Sequence, residues 1–115
     1  MLRYFPIKPP TGKETLPELQ KYVDDMSIER GFREQSIYQQ FMKFLEEAGE
    51  LAKAAKHQLK NPKDKALQKE SGREAADVFM YLLELCNRLD VDLMQAMREK
   101  EEINEKRNWK WIYSL

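Results

Sequence analysis

The stretch SIYQQFMKFLEEAGELAKAA, residues 36–55, decides the architecture. Ile37, Phe41, Phe44, Leu45, Ala48, Leu51, Ala52 and Ala55 recur with the 3.6-residue period of an amphipathic helix. Ser36, with Gln39 three residues on, has the form of a capping box, in which the hydroxyl and the amide each satisfy a backbone N–H at the helix start. The spacing predicts a helix over about 36–60, ending near Asn61-Pro62.

The same signals extend outward. Thr15-Leu16-Pro17-Glu18 is a second capping box, and Gly31 a stop, which predicts a helix over about 16–30. Ser71-Gly72-Arg73-Glu74 is a third, opening a helix over about 71–89 whose apolar residues include Ala75, Val78, Phe79, Leu82, Leu85, Cys86 and Leu89. Asp92 with Gln95 caps a fourth helix, over about 92–107. Residues 62–70 are charged and weakly apolar and read as a linker. With no strand-like alternation and short links, the chain is expected to be all-α, a four-helix bundle-like subunit. Pro6, Pro9, Pro10 and Gly12 make residues 1–14 an extended arm, leaving 15–115 as one helical domain.

Composition narrows function. Twenty basic and twenty acidic residues cancel, without the excess of a nucleic-acid polymer binder. The longest apolar run, Val78 to Leu83, is far short of the roughly 20 residues that span a bilayer. No secretory leader is recognisable at the start, so a cytoplasmic setting is expected. The lone Cys86 fits that setting and reads as a buried thiol.

Two acidic motifs stand out, Glu46-Glu47-Ala48-Gly49-Glu50 and Glu74-Ala75-Ala76-Asp77. Carboxylates three apart on a helix lie nearly one above the other, so each motif offers two oxygen ligands on one face. With Val78 at zero, Leu82, Leu85 and Leu89 fall within about 40° and Glu74 lies near 320°, inside the stripe, while Asp77 and Glu84 flank it beside Tyr81. An uncompensated buried carboxylate is costly, so Glu74 calls for a cation, a hydrogen-bond network or a cavity. The alternative for Glu46, Glu47 and Glu50 is a solvated face with lysine pairs such as Lys43 to Glu47. The only histidine is His57, which excludes the Glu-x-x-His ligands of a di-iron bundle. An all-oxygen set suits Mg²⁺, for which Mn²⁺ can substitute. Lys100, Asn104 and Arg107, at i, i+4 and i+7, form a ladder able to hold polyphosphate oxygens, or a solvated face paired with Glu101 and Glu105.

Together these residues resemble the all-α nucleoside triphosphate pyrophosphohydrolases, the MazG-like superfamily that includes dimeric dUTPases and dCTP pyrophosphatases. The signature is Glu-Glu-x-x-Glu, a spacer, here the 23 residues Leu51 to Arg73, and Glu-x-x-Asp; the match spans about 16–110. Leu16-Pro17-Glu18-Leu19-Gln20 and Glu29-Arg30-Gly31-Phe32 support it. The resemblance implies Mg²⁺-dependent hydrolysis of a nucleoside triphosphate to the monophosphate and pyrophosphate, a pool-cleaning activity. It assigns Glu47, Glu50, Glu74 and Asp77 to the metal and Lys100, Asn104 and Arg107 to phosphates, with Glu46 or Glu47 as general base. It also places Tyr81, and more weakly His57, near sugar or base. A bundle this small is expected to complete its core with a neighbour, as a homo-oligomer, dimer or tetramer. Trp109, Trp111 and Tyr113 are expected in packing or subunit contacts, with stacking on a base as the alternative. The competing class is a non-catalytic helical interaction or regulatory module that retains the fold.

Overall fold

A computed structural model describes residues 7–107, so Trp109, Trp111 and Tyr113 lie outside the described residues. Within them the chain is all-helical: α1 Leu16–Glu29, a single 3-10 turn Phe32–Glu34, α2 Ile37–Lys60, α3 Lys65–Arg88 and α4 Leu93–Glu105. No described helix is long and apolar enough to cross a membrane.

The helix starts follow side-chain chemistry. Thr15 Oγ1 accepts from Glu18 N at 3.3 Å while Glu18 Oε1 accepts from Thr15 N at 3.0 Å. Ser36 and Gln39 make the same reciprocal pair at the head of α2. Asp92 accepts from Gln95 N at 3.1 Å to start α4. α1 ends at Glu29 because Gly31 takes φ of 77°, a left-handed turn that a side chain would resist.

One boundary differs from the sequence reading. α3 begins at Lys65, not at residue 71, and its N-cap is Asp64, whose carboxylate accepts from Ala66 N at 2.9 Å and Leu67 N at 3.3 Å. Lys65 to Glu70 contains only good helix formers, and charge does not halt a helix; Asn61-Pro62 does. Ser71 and Gly72 therefore sit inside the helix, and the expected linker shrinks to 61–64.

α2 and α3, each 24 residues and about 36 Å long, pack along one another as an antiparallel hairpin. Gln40 meets Glu84 near one end, and Glu47 meets Glu74 and Asp77 further along. α1 crosses the C-terminal half of α3, and α4 packs on α1. The centre of the core is Val23, Met26 and Leu83, with Ile7, Leu16, Leu19, Tyr22, Met80 and Leu93 around it. Ile7 thus brings the N-terminal arm against the domain. Beyond it, Glu14 accepts from the backbone N–H groups of Thr11 and Gly12, and chiefly the Thr11 bond draws its carboxyl down to about 2.

Gln20 joins three elements. Its Nε2 donates to Asn87 Oδ1 and Val91 O, its Oε1 accepts from Leu93 N at 2.9 Å, and its backbone carbonyl accepts from Asn87 Nδ2. α1 is thereby tied to the α3–α4 corner, where Asp90 takes φ of 56°. Cys86 is buried there as expected, and burial pushes its thiol up, away from a reactive thiolate.

The projected stripe of α3 is only partly its inner face. Leu85 is buried, but Leu89 is 53% exposed, while Leu83 and Glu84 are among the least exposed residues of the helix. The core face is set by α1, which lies over Met80, Leu83 and Asn87 rather than over Leu89.

Candidate metal centre

Glu47 of α2 and Glu74 and Asp77 of α3 each offer an oxygen within 4.8 Å of the others, and all three are half-buried. The grouping is a product of register: Glu47 lies on the inner face of α2, in line with Gln40, Leu51 and Ala54, and α3 presents Glu74 and Asp77 opposite it. Burial comes first, then the charges of Glu47 and Asp77, a hydrogen bond with Glu47 and the charge of Glu50, in pushing the Glu74 carboxyl up. The expected placement of Glu74 in a desolvated environment agrees with this, although the neighbours supplying it are carboxylates and α2 rather than the Leu85 to Leu89 stripe.

The remaining acidic residues separate into two roles. Glu50 is exposed on the flank of α2, close enough for its charge to act on Glu74. Glu46 points outward and pairs with Lys43 Nζ at 3.4 Å, an ion pair that holds the ammonium above its usual range. The lysine pairing considered for Glu47 is thus made by Glu46, which leaves Glu47 facing its partners on α3.

The donor set fits a hard divalent cation. Mg²⁺ holds oxygens at about 2.0–2.1 Å in octahedral geometry, so ligands on opposite sides stand about 4.2 Å apart and adjacent ones about 3 Å. Carboxylates already within 4.8 Å of one another can close to these separations by side-chain rotation.

Beside the trio lies a cavity of about 230 Å³. Glu47 and Asp77 form part of its wall, Val23, Met26, Phe32, Met80 and Tyr81 give it apolar surface, and Ser27, Gln40 and Glu84 line its polar side, with Arg30 completing the lining. Tyr81 thus shares this wall with Glu47 and Asp77.

Behind the cavity is a buried polar network that sequence reasoning missed. Glu84, 4% exposed, is clamped by Arg33, whose Nη2 donates to Oε1 at 3.0 Å and Nε to Oε2 at 3.1 Å. Ser27 Oγ also donates to Glu84 Oε2, and Gln40 Nε2 joins at 3.2 Å. Arg33 reaches Asp24 as well, and Glu84 and then Asp24 hold its guanidinium above its usual range. One signal for Glu84 was available: it lies seven residues after Asp77 and so on the same helical face. Nothing in local spacing marks Arg33.

The other expected ligand-binding residues are not part of this wall. His57 is exposed on α2, ten residues or about 15 Å beyond Glu47. Lys100, Asn104 and Arg107 lie on α4, which packs on α1; Asn104 Nδ2 donates to Glu101 Oε1 at 2.9 Å, and none of the three lines the cavity.

Fold and site together define an all-α helical protein with a three-carboxylate centre opening on a half-apolar cavity. No protein-family model matches the chain, and no curated protein matches it in sequence.

Proposed function

We propose that the protein is a Mg²⁺-dependent nucleoside triphosphate pyrophosphohydrolase of the MazG-like kind, releasing pyrophosphate and the nucleoside monophosphate. The observation that carries this reading is the half-buried Glu47, Glu74 and Asp77 trio on two antiparallel helices, against a cavity of about 230 Å³. Glu47, Glu74 and Asp77, with Glu50 beside them, would hold Mg²⁺ or Mn²⁺. A cation so held neutralises polyphosphate charge and makes a water a better nucleophile at neutral pH. Glu47 is the better placed of the two candidate bases to accept that water's proton, since Glu46 is turned outward and paired with Lys43. Tyr81, in the cavity wall, contacts sugar or base.

The subunit is proposed to work as a homo-oligomer in the cytoplasm. Tyr38, Met42 and Leu45 form an apolar stripe on the outer side of α2, each more than 60% exposed, and no described element covers them. Exposed contiguous apolar surface of this kind marks an interaction face, and a second copy would bury it. Lys100, Asn104 and Arg107 remain the candidate phosphate ligands.

The test is pyrophosphate release by purified protein from a panel of standard and modified nucleoside triphosphates with Mg²⁺. Turnover abolished by chelation and by Glu47→Gln or Asp77→Asn supports the reading; a folded, Mg²⁺-supplied protein that turns over none of the panel overturns it.

A further inference from the structure

We propose that Arg30 is a phosphate-binding residue of the site, its guanidinium taking oxygens of a polyphosphate that the carboxylate trio holds through the metal. The inference deepens the reading above and rests on it for the trio, but its residue belongs to neither acidic motif nor to the α4 ladder. Arg30 closes α1: its backbone N–H donates to Met26 O at 2.9 Å, and Gly31, at φ of 77°, turns the chain directly after it. The backbone is thereby fixed, while the side chain stays exposed in the lining of the same cavity as Glu47 and Asp77.

Other cations close to this wall are engaged. Arg33, three residues on, gives Nε and Nη2 to Glu84 and also reaches Asp24. Lys43, one turn before Glu47 on α2, is held by Glu46 at 3.4 Å. Among the described lining residues Arg30 carries the only positive charge, and no described residue pairs or hydrogen-bonds with its side chain. It shares the lining with Glu47 and Asp77, yet neither lies within ion-pair reach of it. What joins carboxylates to a separate guanidinium across one cavity is a ligand with a cation at the first and an anion at the second. A metal-bound phosphate has that order.

The balance of charge gives the arginine its purpose. One Mg²⁺ cannot neutralise three carboxylates, so the loaded trio keeps a net negative charge that repels an incoming polyphosphate. Glu84 adds nothing to this repulsion, because Arg33 offsets it. A guanidinium in the same lining counters the excess and offers a planar fork to two phosphate oxygens.

The experiment is calorimetric titration of the full chain with magnesium pyrophosphate, and separately with Mg²⁺ alone. The proteins are native, Arg30→Gln, Arg30→Lys and Arg98→Gln; the last removes the same charge from an exposed position on α4 that does not line the cavity. Expected is binding of magnesium pyrophosphate by the native chain, weakened about tenfold or more in Arg30→Gln and less in Arg30→Lys, which keeps the charge without the fork. Arg98→Gln should stay within about twofold of native, since an exposed, distant charge is screened. Mg²⁺ alone should bind Arg30→Gln at least as tightly as native, because a repelling cation has gone. A cation at the end of α1 also complements the helix dipole, but a role confined to that would leave pyrophosphate affinity unchanged. Equal pyrophosphate affinity in Arg30→Gln and Arg98→Gln, a parallel loss of Mg²⁺ binding in Arg30→Gln, or no binding by the native chain would overturn the proposal. Arg30-dependent pyrophosphate binding without hydrolysis of any triphosphate would overturn the enzymatic reading alone; hydrolysis with kcat/KM unchanged in Arg30→Gln would overturn this inference alone.

Discussion

Replacing Arg33 with methionine keeps the alkyl stem and removes the guanidinium that clamps Glu84. Among the described residues, the change deletes the only donor on Glu84 Oε1 and one of three on Oε2, while Ser27 and Gln40 remain. Removing one partner of a buried ion pair costs about 3–5 kcal/mol, because the other charge is stranded. The Glu84 side chain is 5% exposed, but that of Arg33 is 32% exposed, so water can enter where the guanidinium was. Allowing for that screening, the expected loss is about 2–3 kcal/mol. At about 4 °C per kcal/mol for a domain of this size, the melting midpoint should fall by about 8–12 °C. The assay is urea and thermal unfolding at fixed protein concentration, with Lys21→Met as control. That control removes an exposed pair with Asp25 and should leave the midpoint nearly unchanged. A loss no larger than the control's would refute the idea that Glu84 is held as a buried charge.

Glu74→Gln should raise the thermal midpoint of the metal-free protein at neutral pH and cut the stabilisation gained on adding Mg²⁺. Since the folded state raises the Glu74 carboxyl above its unfolded value, metal-free stability should climb as pH falls through that raised value; the climb should be smaller in the variant, and equal profiles would count against the cluster. Gly72 lies inside α3 with open space where a Cβ would go, so Gly72→Ala should stabilise by about 0.5–1 kcal/mol in urea unfolding. Gln20→Leu, which unties α1 from Asn87, Val91 and Leu93, should cost about 1–3 kcal/mol by the same measurement. Leu45→Glu should lower the mass seen in sedimentation equilibrium to that of one chain, and an unchanged mass would exclude the outer stripe of α2 as the interface.

The elements whose caps are local were legible. Thr15 with Glu18, Ser36 with Gln39, and Asp92 ahead of Gln95 each make their bonds within one helical turn, so the pattern alone placed α1, α2 and α4 to within two residues. α3 failed at its start because Ser71 to Glu74 imitates a capping box, while the working cap, Asp64, precedes a charged segment. Glu47, Glu74 and Asp77 could be singled out because each motif sits at helical spacing; that they meet depends on hairpin register, which the 61–64 link sets. The network of Ser27, Arg33, Gln40 and Glu84 was invisible because its bonds join residues 44 to 57 apart in the chain. A projection that scored only apolar residues drew the inner face of α3 toward Leu89. α1 instead buries Leu83 and Glu84, and a charged residue became one of the best-enclosed positions of the helix.

The most direct measurement is pyrophosphate formation from a triphosphate panel, with Mg²⁺ and with EDTA, by the native chain and by Glu47→Gln and Asp77→Asn variants shown to be folded. The account predicts release of pyrophosphate with the matching monophosphate by the native chain, lost in EDTA and reduced at least a hundredfold in both variants. Release unaffected by chelation or by either substitution, or no release from any nucleotide by folded native protein, would contradict it.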